Sequence, residues 1–394
     1  MFRLVLLFWL LSSLALSAQD QPILSLGKVD SLYSEILDEQ RPYWVLLPNS
    51  YDDTTASPQQ YPILILLDAR RNFQMASGVI PFMSRNVQIP EMIVIAIPNT
   101  NRVRDFTPTN STTGPEGETY SAFESSGKGD QFLKFLEDEL LTTIDSSYRT
   151  MPLRVLVGHS LGGLLACEAY LSHNASFSAY IAVDPSLWWD NRLLVKQAKS
   201  DSVYQQPLDS RLYIAAAHKQ MTTLDNSSMR LAQEAFFVAL EENSNQSLQV
   251  KFQHFDQDDH GTIPLPALYH GLQYIFEGLH LSSDKMLTYE PAAIVEHYRA
   301  FSEKIGFTFT PSESEMKLYA DYFFYRNDEK EKGLAFYQMN VDNYPKSYQA
   351  HQYLADALRE LGRTDDAIRH YQQSLELHAD NEKVKAALGE LLGK

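Results

Sequence analysis

The chain has 394 residues, a formal net charge of −17 and 44% hydrophobic residues. That length accommodates about two or three domains with room for a large core. The acidic balance argues against nucleic acid or an anionic membrane surface as the main partner, because both recruit clustered Lys and Arg.

At the N-terminus, MFRLVLLFWLLSSLALSAQD carries Arg3, an apolar run from Leu4 to Leu16 and small residues at Ser17 and Ala18. The run is short for a bilayer span. It reads as a signal peptide over residues 1–18, making the mature protein periplasmic or secreted, with no transmembrane segment after signal removal. No cysteine follows the run to accept a lipid, and the single cysteine, Cys167, excludes an intrachain disulfide and reads as a core residue.

The next stretch, SLYSEILDEQRPYWVLLP, suggests two partly alternating strands added antiparallel at a sheet edge. Six β-rich runs follow: Ile63 to Leu67, Met92 to Ile97, Leu153 to Val157, Ala179 to Val183, Arg211 to Ala217 and Leu248 to Phe255. Several are continuously apolar, as strands covered on both faces are. Helical patterns lie between them. In GDQFLKFLEDELLTTI, for instance, Phe132, Phe135, Leu136 and Leu140 form one stripe. The alternation predicts a doubly wound, mostly parallel α/β sheet.

In such a sheet ligands meet the carboxyl ends of the strands. The segment RVLVGHSLGG places Gly158-His159-Ser160-Leu161-Gly162 there, between a strand and a helix. Gly-x-Ser-x-Gly at that seam is a nucleophile elbow, with Ser160 in a strained turn and Gly158 and Gly162 packed too closely for a Cβ. The backbone N–H of Leu161, at the helix start, is the expected first oxyanion donor. The second is expected after Ile63 to Leu67, in LLDARRNF, from the backbone of Ala69 or Arg70.

A serine hydroxyl needs a base and an orienting acid. His260, in the loop FDQDDHGTIPLP beyond the last strand, is the base. His159 is expected to point away from the reaction centre, His254 falls within a strand pattern, and His270 and His280 sit on the helical stretch that follows. For the acid, Asp225 in HKQMTTLDNSS is favoured, with Asp184, Asp190, Asp256, Asp258 and Asp259 as alternatives. Trp188 and Trp189 are candidates to wall a substrate pocket. Arg70, Arg71, Arg102 and Arg104 lie in loops near the same edge, free to meet an anionic substrate or to be solvated. No metal-ligand pattern appears, so no metal or cofactor is expected.

Beyond this region, Pro291 to Ile305 reads as a helical connector. After Pro311, Tyr337 and Tyr371 are 34 residues apart, as are Pro345 and Ala379, which is the tetratricopeptide period. The second unit carries Leu354, Ala355, Leu358, Leu361, Gly362, Ala367, Tyr371 and Leu375. The first is degenerate, and NEKVKAALGELLGK reads as a capping helix. The segment is either a docking surface for a peptide or protein or a lid-like appendage packed on the sheet domain. The organisation expected is a sheet domain over 19–282, a connector over 283–314 and helical repeats over 315–394.

The chain resembles the esterase D / enterochelin esterase family of α/β-hydrolases. The matching blocks are YPILILLDA, NRVRDFTPT, FLKFLEDELLTTIDSSYRT, GHSLGG, DPSLWW and DDHGTIPLPALYHGLQYIF, spanning Tyr61 to about Phe276. The resemblance implies an α/β-hydrolase fold with nucleophile Ser160, base His260 and an acid in the loop holding Asp225. Ala69 stands where the family usually has glycine after "LLD". The expected activity is a secreted serine hydrolase cleaving carboxylic esters through an acyl-enzyme, with a siderophore trilactone esterase as a narrower alternative. A catalytically silent binding protein that assembles through its repeats is the alternative of another class.

Overall fold

The run YPILILL is buried at all seven positions and IVIAI and AYIAV at all five, which a strand achieves only inside a sheet covered on both faces. The computed structural model describes residues 25–52, 58–115, 117–205, 208–219, 227–243, 248–282, 285 and 288–393. The expected signal segment 1–18 and Asp225 lie outside the described residues.

Eight strands form one sheet: β1 (Lys28–Ser34), β2 (Glu39–Leu46), β3 (Tyr61–Leu67), β4 (Ile93–Ile97), β5 (Thr150–His159), β6 (Ala179–Val183), β7 (Arg211–Lys219) and β8 (Val250–Asp259). Their spatial order is β1-β2-β4-β3-β5-β6-β7-β8. β1 and β2 are the antiparallel edge additions, and every pairing from β4 to β8 is parallel. The strand order reverses between β3 and β5. In a doubly wound sheet that switch point opens a crevice at the carboxyl ends.

The helices between strands are α1 (Ala69–Arg85), α2 (Arg102–Asp105), α3 (Gly129–Lys134), α4 (Leu141–Ser147), α5 (Leu161–Leu171), α6 (Trp189–Gln197), α7 (Ser227–Asn243) and α8 (Pro264–Ile275). A π-helical turn, Phe135–Leu140, joins α3 to α4. One face of the sheet is covered by α1, through Phe73, Ala76 and Ile80, and by α8, through Leu268 and Leu272. The other is covered by α3, α5 and α7, through Phe132, Leu164, Leu165 and Phe236. Cys167 lies fully buried within that second layer, where burial pushes its thiol pKa up.

The connector is helix α9 (Pro291–Ile305), bounded as the sequence predicted. The repeats follow as α10 (Glu313–Asp321), α11 (Lys330–Asn343), α12 (Tyr348–Glu360), α13 (Thr364–Leu377) and α14 (Glu382–Leu391). The first unit, degenerate in sequence, keeps the hydrogen bonds of the second. The Tyr337 hydroxyl donates to Asp321 and the Tyr371 hydroxyl to Asp356, both at 2.5 Å. Asn340 donates to the carbonyl of Glu313 as Ser374 does to that of Tyr348.

The connector docks at the amino ends of the strands. Arg211, first residue of β7 and buried, donates from Nε to Gln249 at 2.7 Å and from Nη2 to the Lys304 carbonyl at 3.0 Å, and it also bonds the Ile275 carbonyl. Tyr344, in the first repeat, lies close enough to Tyr61 at the amino end of β3 for the two phenols to interact electrostatically. This arrangement corrects the lid reading, since Ser160 is at the opposite end of the sheet. Among the described residues, no helix is long and apolar enough to cross a membrane.

Candidate active site

Ser160 stands between β5 and α5 with φ 60° and ψ −116°, a backbone conformation that costs a non-glycine residue on the order of 1–3 kcal/mol. Its neighbours hold it there. The Ser160 N–H donates to Val183 O at 2.9 Å, and its carbonyl accepts from Leu164 at 2.9 Å and from Ser186 at 3.1 Å. A Cβ on Gly158 would lie 2.1 Å from the Gly162 carbonyl oxygen, so glycine is required at that position. Gly162 differs from expectation, because a Cβ there meets nothing closer than 3.4 Å. The second tight position is Gly163, whose Cβ would sit 3.1 Å from Pro185 and from the Val183 carbonyl.

His260 follows β8 in a turn shaped by its acidic neighbours. Asp259 accepts from the N–H groups of Gly261 at 2.7 Å and Thr262 at 3.0 Å, and Asp258 accepts from the Thr262 hydroxyl at 2.9 Å. These carboxylates fix the loop and are not available as the acid. Asp256 lies 3.7 Å from His218, and Asp190 accepts from the Thr109 hydroxyl at 2.7 Å.

The carboxylate that meets His260 is Asp184, at the end of β6: His260 Nδ1 and Asp184 Oδ2 are 2.6 Å apart. Asp184 is 3% exposed and adopts φ 42°. Its Oδ1 accepts from the Ala217 N–H at 3.1 Å and from Gln233 Nε2 at 2.9 Å. Three donors therefore satisfy a carboxylate that burial would otherwise penalise. The favoured acid, Asp225, lies outside the described residues; the carboxylate on His260 is that of the alternative, Asp184, presented by a left-handed turn.

His159 also departs from expectation. Its ring does not point away but lies 4.4 Å, centroid to centroid, from that of His260, and it is 3% exposed. Burial, with His260 next, holds its pKa down to about 3. It is a neutral surface against which the other imidazole rests.

The two expected oxyanion donors are the first residues of two helices. Leu161 opens α5 and Ala69 opens α1, so both N–H groups lie where helical N–H groups lack intrahelical acceptors. The helices leave the β5 and β3 ends at the switch point, on opposite faces of the sheet.

The arginines separate into distinct groups. Arg70 and Arg71 are exposed on α1. Arg102 and Arg104 are neither solvated nor free: Arg102 pairs with Asp68 at 2.7 Å, and Arg104 pairs with Glu39 at 2.6 Å and Asp105 at 2.7 Å. The two tryptophans part company as well. Trp189 is 1% exposed and packs inward, donating from Nε1 to Thr109 at 3.3 Å, which corrects its expected place in a pocket wall. Half-buried Trp188 borders a cavity of about 740 Å³ together with Asn191, Arg192, Lys196 and Lys199. The adjacent indoles stay in contact, with ring centroids 5.6 Å apart, and both rest against Phe123. Every charged residue bordering that cavity, among the described residues, is a cation, in a chain of net charge −17. Among the described residues, no group of three or more His, Cys, Asp or Glu is placed to hold a metal ion.

Comparison with known proteins matches residues 34–261 to the Esterase family model and residues 348–391 to a tetratricopeptide repeat model. The ferri-bacillibactin esterase BesA of Bacillus subtilis is 27% identical over 243 residues, covering 59% of this chain and 83% of that protein. The crystal structure of an IroE-like serine hydrolase from Shewanella oneidensis superposes with a TM-score of 0.70 at 28% identity, covering 80% of this chain and 98% of that one. The siderophore hydrolase EstA from Aspergillus nidulans, at 21% identity and TM-score 0.53 over 65% of this chain and 97% of its own, shares the fold. The chain belongs to the Esterase family: it is an ester hydrolase built on an α/β-hydrolase sheet, with tetratricopeptide repeats appended.

Proposed function

We propose that the protein is a serine hydrolase that cleaves the ester bonds of a siderophore through an acyl-enzyme. The observation that carries the reading is the 2.6 Å pair between His260 Nδ1 and buried Asp184, at the carboxyl ends of β8 and β6, the latter the direct neighbour of the strand that ends at the strained Ser160. In this mechanism Nε2 of His260 takes the Ser160 proton as Oγ attacks the ester carbonyl. Asp184 fixes the imidazole tautomer and stabilises the imidazolium. Backbone N–H groups of Leu161 and Ala69 hold the oxyanion. Collapse of the tetrahedral intermediate breaks the C–O bond, and His260 returns the proton to the leaving alcohol. A water activated by the same imidazole then hydrolyses the acyl-Ser160. Neutral His159 adds no second positive charge beside the imidazolium.

The siderophore substrate rests on the relatives and on the cavity beside Trp188. Iron-chelating groups such as catecholates carry negative charge in their ferric complexes, and Arg192, Lys196 and Lys199 offer a matching cationic wall. Secretion through the N-terminal segment belongs to the same proposal, because an extracytoplasmic siderophore meets its esterase there.

The test is hydrolysis of a tris-catecholate trilactone, in ferric and apo forms, beside p-nitrophenyl butyrate. Wild type is expected to cleave the trilactone with a kcat/KM at least about tenfold above the nitrophenyl ester, while Ser160→Ala loses about 10⁴-fold or more on both and escapes fluorophosphonate labelling. Equal turnover by wild type and Ser160→Ala overturns the catalytic assignment. An untouched trilactone with an active nitrophenyl esterase overturns the substrate alone.

A further inference from the structure

We infer that Arg102 is a positioning residue for the oxyanion hole, a guanidinium clamp that sets the distance between its two donor N–H groups. The inference rests on the reading of Ser160, Leu161 and Ala69 given above.

The need for a clamp follows from the sheet. The β3–β5 ladder ends at the pair Leu66–Val157. Asp68 and His159 lie two residues further on, past the last registered pair. From there α1 and α5 diverge to opposite faces, so no ladder hydrogen bond spaces Ala69 from Leu161. Arg102 bridges this gap. Its Nε donates to Asp68 Oδ1 at 2.7 Å, and its Nη2 donates both to Asp68 Oδ2 at 3.0 Å and to the His159 carbonyl at 3.0 Å. One planar group thus holds the residue before Ala69 and the residue before Ser160. The guanidinium lies 5.6 Å from the centroid of the buried Phe106 ring, and Asn99 Nδ2 also donates to Asp68.

Asp68 itself requires the clamp. It occupies the left-handed region at φ 56°, is 7% exposed, and makes no side-chain cap to its own helix. Its Oδ2 lies 3.5 Å from where a Cβ on Gly162 would be, against the first turn of α5. A carboxylate there without a counter-charge would repel an oxyanion forming at that helix start. Arg102 therefore fixes geometry and neutralises charge in one contact, and a lysine cannot reproduce the fork.

The test compares Arg102→Gln, Arg102→Lys, Asp68→Asn and Asp68→Asn/Arg102→Gln with wild type on p-nitrophenyl butyrate. Inhibition by an alkyl boronic acid, a tetrahedral analogue at serine, is measured alongside. Losing one oxyanion donor in other serine hydrolases lowers kcat by about 10²–10³-fold. Arg102→Gln is expected to lower kcat by about 100-fold with KM within about threefold, and to weaken boronate binding by the same factor. Arg102→Lys should fall between the two, and the double variant should be no worse than Arg102→Gln. Arg104→Gln breaks a comparable ion-pair network that does not touch the elbow. It is the control, expected to lower the melting temperature without changing kcat.

A kcat for Arg102→Gln within threefold of wild type overturns the clamp. So does a loss confined to KM, or an unchanged boronate affinity. Should Arg102→Gln fail to fold, Arg102→Lys and Asp68→Asn carry the same comparison. If Ser160→Ala retains wild-type turnover, the nucleophile assignment fails and not the clamp.

Discussion

At the amino ends of β5 to β7, Arg211 reaches two carbonyls and a side-chain amide, and the connector helix closes over it in ordinary helical geometry. At the carboxyl ends of the same sheet, Asp68, Ser160, Asp184, Asp190, Asn191 and Arg192 all sit at positive φ. They are six of the ten non-glycine residues that do so among the described residues. Left-handed backbone costs roughly 1–2 kcal/mol per residue. One end of the sheet accumulates strain to aim side chains, and the other gathers hydrogen bonds that keep the scaffold rigid enough to sustain it. Rigidity and reactivity are built at separate addresses, so they can be broken separately.

The largest effect is expected from Asp184→Asn. Neutralising the carboxylate that orients His260 should lower kcat by about 10⁴-fold, with little change in KM or melting temperature. Asp225→Asn, by contrast, should stay within about threefold of wild type in steady-state ester hydrolysis. The reverse pattern would return the acid to the loop after β7.

Next in size is Arg211→Met, which strands the buried carbonyls of Ile275 and Lys304. Urea titration should show a loss of about 2–3 kcal/mol, while the rate of fluorophosphonate labelling of Ser160 stays unchanged. A parallel fall in labelling would show that the two edges are coupled.

The smallest effect is a slope. Burial keeps folded His159 neutral down to about pH 3, whereas in the unfolded chain it titrates near the ordinary histidine value of 6.5. The unfolded state therefore binds more protons between those values, and this group makes stability fall as pH drops from 6.5. In His159→Phe that contribution is gone. The wild type should lose up to about 1.4 kcal/mol per pH unit relative to the variant between pH 6 and 4.5. Glu168, whose pKa burial and then Asp130 raise to about 7, has the opposite sign and drops out of the difference. Equal pH dependences in wild type and variant would place His159 in a wetter setting.

Much of this was legible in the sequence because it is local. The apolar runs that became β3, β4 and β6, the connector bounded by Pro291 and Gly306, the elbow and the turn-borne His260 all depend on neighbours a few residues away. The carboxylate that meets His260 was not, because Asp184 takes its donors from Ala217 and Gln233, 33 and 49 residues further along. The roles of Arg102 and Arg104 were hidden for the same reason, their partners being Asp68 and Glu39. Trp188 and Trp189 look interchangeable in sequence. They differ in burial, and the inner one, Trp189, takes its hydrogen-bond partner Thr109 from 80 residues upstream.

The grip of Arg211 on the carbonyl end of the connector has a logistical consequence. The helices that follow the connector are anchored at the amino ends of the strands, the opposite end of the sheet from Ser160. Additions or truncations in the repeats can therefore be made without crowding the carboxyl ends, where ester would enter and alcohol leave.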